Sequence, residues 1–157
     1  MRRLLMNIIL TLIWVALTGN FQVINFAFGF LLSFLLMYIS RSSESDKRYY
    51  NRFPKVIGFL FYFAYELMKA NLQVAFDVIT PKLYIKPGII SYPLTATTDL
   101  EITMLSNVIS LTPGTLIIDV SDDRKVLYIH GMFIRDKQLF IDQIKNGFEK
   151  RILDILR

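Results

Sequence analysis

Apolar residues run almost unbroken at the start of the chain and become patterned only later. Residues 4–40 carry no charged side chain, with Arg2 and Arg3 before them and Arg41 after. A hydrocarbon core of roughly 30 Å takes about 20 helical residues to cross. The run is too long for one crossing and slightly short for two, and Thr18-Gly19-Asn20 breaks it near the middle. The pattern predicts a transmembrane helical hairpin over residues 1–40, with helices near Leu4–Leu17 and Phe21–Ile39. The first helix reaches only about 21 Å, so it needs a thinned bilayer or neighbouring protein. Asn7, Thr11, Gln22 and Asn25 add polar groups that prefer helix–helix contacts to lipid. Ion routes in membranes are usually built from carboxylates and lysines. The hairpin has none, so these four residues read as ties within it. Met1-Arg2-Arg3 and the following apolar stretch also fit a secretory signal peptide, but no convincing A-x-A site follows and a second apolar run begins at once.

The polar, basic segment RSSESDKRYYNRF (41–53) reads as part of a cytoplasmic loop at the lipid headgroups, over residues 41–55. In 54–79 the first half is apolar and aromatic. Tyr62, Glu66, Lys69, Gln73 and Asp77 then fall on one helical stripe, with Glu66 and Lys69 paired at i,i+3 and Pro54 suited to a first turn. An interfacial amphipathic helix over 56–79 is the favoured reading, and a third crossing is the alternative. Thr80-Pro81 stops it, and a small domain over 80–157 follows. Leu83–Leu94 is extended. Thr98-Asp99-Leu100-Glu101 is a capping box opening a helix to about Leu111. Thr112-Pro113-Gly114 ends that helix. Thr115–Val120 and Val126–Phe133 form a hairpin around a polar turn. Asp136 caps a last helix with Ile141, Ile144, Phe148, Ile152 and Ile155 on one face. The fold class is a membrane-anchored α+β protein whose cytoplasmic domain has the order β-α-β-β-α. Its first crossover makes the two flanking strands parallel. Both helices cover one sheet face, while the other face and an edge need a partner or the membrane.

Charge placement sharpens this picture. The net charge of +5 is divided as +2 over 1–40, +3 over 41–55, −1 over 56–79 and +1 over 80–157. The positive excess borders the apolar run, which suits a cytoplasmic membrane face. A nucleic-acid domain would concentrate it on the folded part instead. Cysteine is absent, which removes thiolate chemistry and disulfides. His130, the only histidine, cannot build a metal site alone and reads as a strand residue. Asp119, Asp122 and Asp123 lack EF-hand spacing and read as solvated turn acids. Thr112–Thr115 lacks the glycines and lysine of a phosphate loop. No cofactor is implied. Glu66 and Lys69 are the charges inside an apolar segment away from its ends. They are candidate proton-handling groups if that helix is buried in protein, and solvated otherwise.

The stretch Lys86–His130 holds PGIISYPL, TDLEITMLSNVISLTPGTLIIDVSDD and LYIH. It closely resembles the E subunit of the Mrp-type (Mnh) multisubunit cation/proton antiporter, over essentially the whole chain. The segment from Asn107 through Thr112, Pro113, Gly114 and Thr115 to Asp119 carries the specificity. The resemblance implies a non-catalytic accessory subunit of a bacterial plasma-membrane complex, multi-pass, with its C-terminal domain cytoplasmic. Its implied partners are the other antiporter subunits and membrane lipid, with Na+ and H+ as the ions the complex moves. It assigns no catalytic residue here. A self-contained, membrane-tethered domain sensing a cation or metabolite is the alternative function.

Overall fold

A computed structural model describes residues 2–39, 44–80 and 85–157 of the chain. The chain divides into two compact units, Met1–Pro54 and Lys55–Arg157.

In the first unit α1 (Arg2–Thr18) and α2 (Val23–Ile39) form a hairpin. Asn7, Thr11 and Val15 on α1, and Gly29, Ser33 and Met37 on α2, are buried at four-residue spacing. Small residues at such positions let two backbones approach closely. A Cβ on Gly29 would lie 2.8 Å from Trp14 Cδ1. Asn25 ties the tip: its Oδ1 accepts from Trp14 Nε1 at 3.0 Å, and its Nδ2 donates to Thr18 Oγ1 and Asn20 O, both at 2.7 Å. Gly19, with φ of +62°, makes the turn. Of the polar residues expected to tie the hairpin, Asn25 does so; Asn7 and Thr11 are buried within it, Thr11 Oγ1 donating to Asn7 O of the same helix, and Gln22 is exposed.

The loop expected over 41–53 is corrected. From Glu44 onward the chain is helical, as α3 (Glu44–Ile79), and Pro54 lies well inside this helix rather than in its first turn. Arg41 lies outside the described residues. Aromatic packing accounts for the difference. Phe34 meets Tyr50 edge-on at 5.0 Å and Phe53 at 4.8 Å, and Tyr38 meets Tyr50 at 5.2 Å. That apolar face outweighs the segment's polar composition. Among the described residues no helix is long and apolar enough to cross a membrane. α1 and α2 have 17 residues each, about 25 Å.

The second unit contains β1 (Gly88–Pro93), α4 (Asp99–Leu111), β2 (Thr115–Val120), β3 (Val126–Gly131), α5 (Lys137–Gln143), a π-helical turn (Ile144–Glu149) and α6 (Lys150–Leu156). The expected order is present, with two strand boundaries refined and one helix interrupted. β3 stops at Gly131, not Phe133. β1 starts at Gly88, with Pro81 and Leu83 outside the described residues. The last helix contains a π turn. The sheet order is β1-β3-β2 with antiparallel neighbours, so β1 and β2 run the same way on either side of β3.

Alternation on the strands sends Ile90 and Tyr92, and Leu127 and Ile129, into the core. Leu105 and Ile109 of α4 and Ile144, Phe148 and Ile152 of the C-terminal helical stretch complete it. Each such side chain contributes about 1.5–3 kcal/mol by leaving water. Phe59 of α3 belongs to the same core. Tyr62 packs edge-on against Phe148 at 5.5 Å, and the Arg151 guanidinium lies 3.9 Å from its ring centre. The Tyr62 hydroxyl occupies the space a Cβ on Gly147 would take. Residues 56–79 therefore pack with 80–157 rather than standing apart at residue 80. The outer sheet face leaves Ile89, Leu116 and Ile118 exposed.

Candidate docking site

The polar stripe of α3 faces the TPGT segment. Lys69 Nζ lies 3.5 Å from Glu66 Oε2. This pair and Gln73 form one wall of a cavity of about 150 Å³, and Thr112–Thr115 form another, with Phe133 and Phe140 between them. A second cavity of about 360 Å³ shares Lys69, Gln73, Phe133, Phe140 and Gln143 and continues toward Asp77, Arg135 and Asp136. The two make one open, mixed-polarity groove. Most of its acids are already engaged. Glu66 has Lys69, and Asp136 Oδ1 accepts from Gln138 N at 2.8 Å and Leu139 N at 3.1 Å as the cap of α5. Asp77 differs: it is only 7% exposed and its Oδ2 has no hydrogen-bond partner among the described residues.

Local chemistry holds the TPGT wall in shape. Thr112 Oγ1 donates to Ile109 O at 2.7 Å and lies 2.6 Å from Thr115 Oγ1, which also reaches Ile109 O at 2.6 Å. Two hydroxyls thus cap the end of α4, where carbonyls lack helical partners. Gly114 has φ of +88°, and a Cβ there would meet Phe133 Cε2 at 3.1 Å. Only glycine adopts that backbone at low cost.

The sequence motif divides at this point. Thr112, Pro113, Gly114 and Thr115 line the groove together with Glu66 and Lys69, a convergence that sequence spacing could not reveal. Asn107 is exposed on α4, outside the groove. Asp119 sits at a register shift in β2, its Oδ1 accepting from Val120 N at 2.7 Å. Asp123 caps the β2–β3 turn. Donation from the Ser121 hydroxyl, then from the Lys125 amide, holds its carboxyl below the ordinary range. His130 lies between Ile89 and Leu116 on the outer sheet face. Among the described residues no three His, Asp or Glu side chains gather as a metal site.

The sequence of the chain also resembles known proteins. The sequence pattern of the Na+/H+ ion antiporter subunit family MNHE matches residues 7–155. The E subunit of the Na(+)/H(+) antiporter of Bacillus subtilis is 39% identical over 99% of this chain and 98% of its own length. That of Alkalihalophilus pseudofirmus is 34% identical over the same shares. The chain belongs to the family of Na+/H+ antiporter E subunits. Among solved structures it is similar to a chain of the Mrp complex from a Dietzia species, with TM-score 0.50 and 28% identity over 65% of this chain and 96% of that one. It is also similar to a chain of an archaeal membrane-bound sulfane sulfur reductase, with TM-score 0.57 and 28% identity over 96% of both chains.

Two further charged groups of this E-type chain organise the domain; Glu149, and the Arg157 partner of the capping-box Glu101, escaped the sequence reading. Glu149 is 2% exposed. Its carboxylate accepts from Tyr92 Oη at 2.6 Å, Thr95 N at 2.7 Å and Ala96 N at 2.8 Å. Burial first, then the bond and charge of Glu149, push the Tyr92 phenol far above its ordinary pKa, so it remains a donor. Glu101 closes the capping box and accepts from Arg157 Nε at 3.0 Å. The Arg157 bond, then the Thr97 amide, hold the Glu101 carboxyl down at about 2. No local signal in the sequence marks Glu149 as buried.

Proposed function

We propose that this chain is an accessory subunit that assembles and braces a multisubunit monovalent cation/proton antiporter, without itself passing the ions. The family match over residues 7–155 carries this reading, and the curated relatives are matched over nearly their full length. The groove supports docking as the mechanism. Its Thr112–Thr115 wall is held by hydrogen bonds, its Glu66–Lys69 pair is mutually satisfied, and the buried, unpartnered Oδ2 of Asp77 is an acceptor that a partner's lysine or amide reaches as it opens the groove. An unmet buried acceptor costs about 1–3 kcal/mol, so supplying the donor favours the bound state. Exposed Leu5, Leu12, Leu17, Val23, Ile24 and Leu31 on the hairpin call for lipid or protein cover.

The proposed setting is the bacterial plasma membrane. The hairpin is embedded beside longer subunits that compensate its short helices, and Thr18–Asn20 face outward. The N-terminus, residues 41–55 and residues 80–157 are cytoplasmic, with 56–79 at the interface. Other antiporter subunits and lipid are the partners, and Na+ and H+ are the ions exchanged by the assembled complex.

The test measures complex recovery after mild detergent extraction and sodium/proton exchange in membranes for wild type and Glu66→Gln. The expected result is co-purification with several larger hydrophobic proteins and near-normal exchange in the variant. Abolished exchange with an intact complex would place this subunit in the ion path and refute the proposal. Topology is read separately from single cysteines introduced into this cysteine-free chain. Labelling of the Ser121–Lys125 turn by an impermeant external reagent would require a third crossing.

A further inference from the structure

The C-terminal helical stretch carries one residue more than an α-helix accommodates, and this sorts its charges. Lys150 N–H donates to Lys145 O, five residues back, at the end of the π turn Ile144–Glu149. In an α-helix Lys145 would stand over Glu149 at i+4, where opposite charges pair. Here Glu149 turns into the core, both of its oxygens occupied by Tyr92, Thr95 and Ala96. Lys145 and Lys150 stay exposed, five residues apart across the π turn, with no ion pair among the described residues. Single π turns inside helices occur often at functional sites.

Both lysines line a concavity of about 410 Å³ with Lys55, Asn146, Asp154 and Arg157. Lys55 Nζ is anchored on Asp154 O at 3.1 Å, and Arg157 is held by Glu101. Glu149 contributes to the lining but is fully engaged inward, and Asp154 is an exposed carboxylate at the rim. Among the described residues four cations of the lining therefore meet two anions, and Lys145 and Lys150 have no ion-pair partner.

We propose that this pocket binds a phosphate-bearing anion, with Lys145 and Lys150 as its principal charges. Lysine ammonium groups bind phosphate as point charges without a fixed fork geometry, and the volume admits a phosphate with a glycerol-sized substituent. A lipid headgroup and free phosphate share this chemistry. Lys55 stands three residues after Arg52, the last cation of the basic segment Arg41–Arg52, which favours the headgroup. The site uses different side chains from the docking groove, and only the choice of source rests on the membrane reading.

The full-length chain in non-ionic detergent is titrated with phosphatidylglycerol or phosphatidylcholine and bound lipid is counted by native mass spectrometry. Inorganic phosphate is titrated separately by calorimetry. Wild type should prefer phosphatidylglycerol roughly tenfold. Lys145→Gln with Lys150→Gln should weaken that binding about 30-fold, at one tenfold step per 1.4 kcal/mol and roughly one unit of that scale per basic group. Lys125→Gln with Lys137→Gln removes the same charge from exposed lysines elsewhere and should leave binding within about twofold. Lysine-dependent binding of inorganic phosphate without the lipid preference supports the site with a free anion as its ligand. Equal loss in both double variants, or no binding that depends on Lys145 and Lys150, overturns the proposal. A chain that recovers no partner proteins but retains this binding would refute the docking reading alone.

Discussion

Replacing Glu149 tests whether one buried carboxylate holds the domain's first strand and following loop to its last helix. Glu149→Ala removes the acceptor for Tyr92 Oη, Thr95 N and Ala96 N. Thr95 is exposed and its amide recovers water, whereas Tyr92 and Ala96 are 0% and 3% exposed. Two stranded buried donors cost about 1–3 kcal/mol each, and relief of the buried charge offsets part of this. The expected net loss is about 3 kcal/mol, or roughly a hundredfold in the opening equilibrium. Glu149→Gln keeps an amide oxygen for the two backbone donors and should cost about 1 kcal/mol. Fluorescence would miss both effects, because the single tryptophan, Trp14, lies in the other unit. Amide exchange of β1 and β3 reports the opening directly. Protection at Ile90, Leu127 and Ile129 should fall about a hundredfold in the Ala variant and under tenfold in the Gln variant. Unchanged protection in Glu149→Ala would show that the carboxylate is not what joins these elements.

At Gly114, valine meets a φ of +88° and a ring carbon 3.1 Å from its Cβ. The backbone cost is about 1–3 kcal/mol with overpacking of similar size, so Gly114→Val should abolish co-purification with partner subunits. Gly58→Ala, where a Cβ meets open space, should instead stabilise α3 by up to about 1 kcal/mol and leave the complex intact. Glu101 is depressed in the folded chain from 4.5 to about 2. It therefore stabilises the domain fully above about pH 4.5 and loses that contribution as pH falls through about 2. Exchange protection of α4 should decline across that window in wild type and much less in Glu101→Gln. At the hairpin, Gly29→Val drives a Cβ against Trp14. The Trp14–Asn25 bond should break, with a red-shifted tryptophan emission, and an unshifted spectrum would contradict the close packing.

Elements whose cause is local were legible without tertiary information. The capping box at Thr98–Glu101, the Asp136 cap, the β2–β3 turn and the stop at Thr112–Gly114 each rest on neighbours within a few residues. So do the break at Thr18–Asn20 and the apolar stripe through Ile144, Phe148 and Ile152. Family membership was legible for a related reason, since the run from Asn107 to Asp119 combines several such local constraints. What long-range packing decides was not legible. Residues 44–53 look polar and loop-like, yet Tyr50 and Phe53 find Phe34 and Tyr38 and the helix continues through Pro54. Glu149 follows Phe148 on a helix, yet one extra residue in the turn aims it at three donors more than fifty residues away. Glu66 and Lys69 lie far along the chain from Thr112–Thr115, and only the fold lines one groove with both. Backbone caps, turns and periodicity are set by short-range sterics and hydrogen bonds, which sequence records directly. Which polar group is buried, and what it meets there, depends on contacts between distant segments, and those exist only in the folded chain.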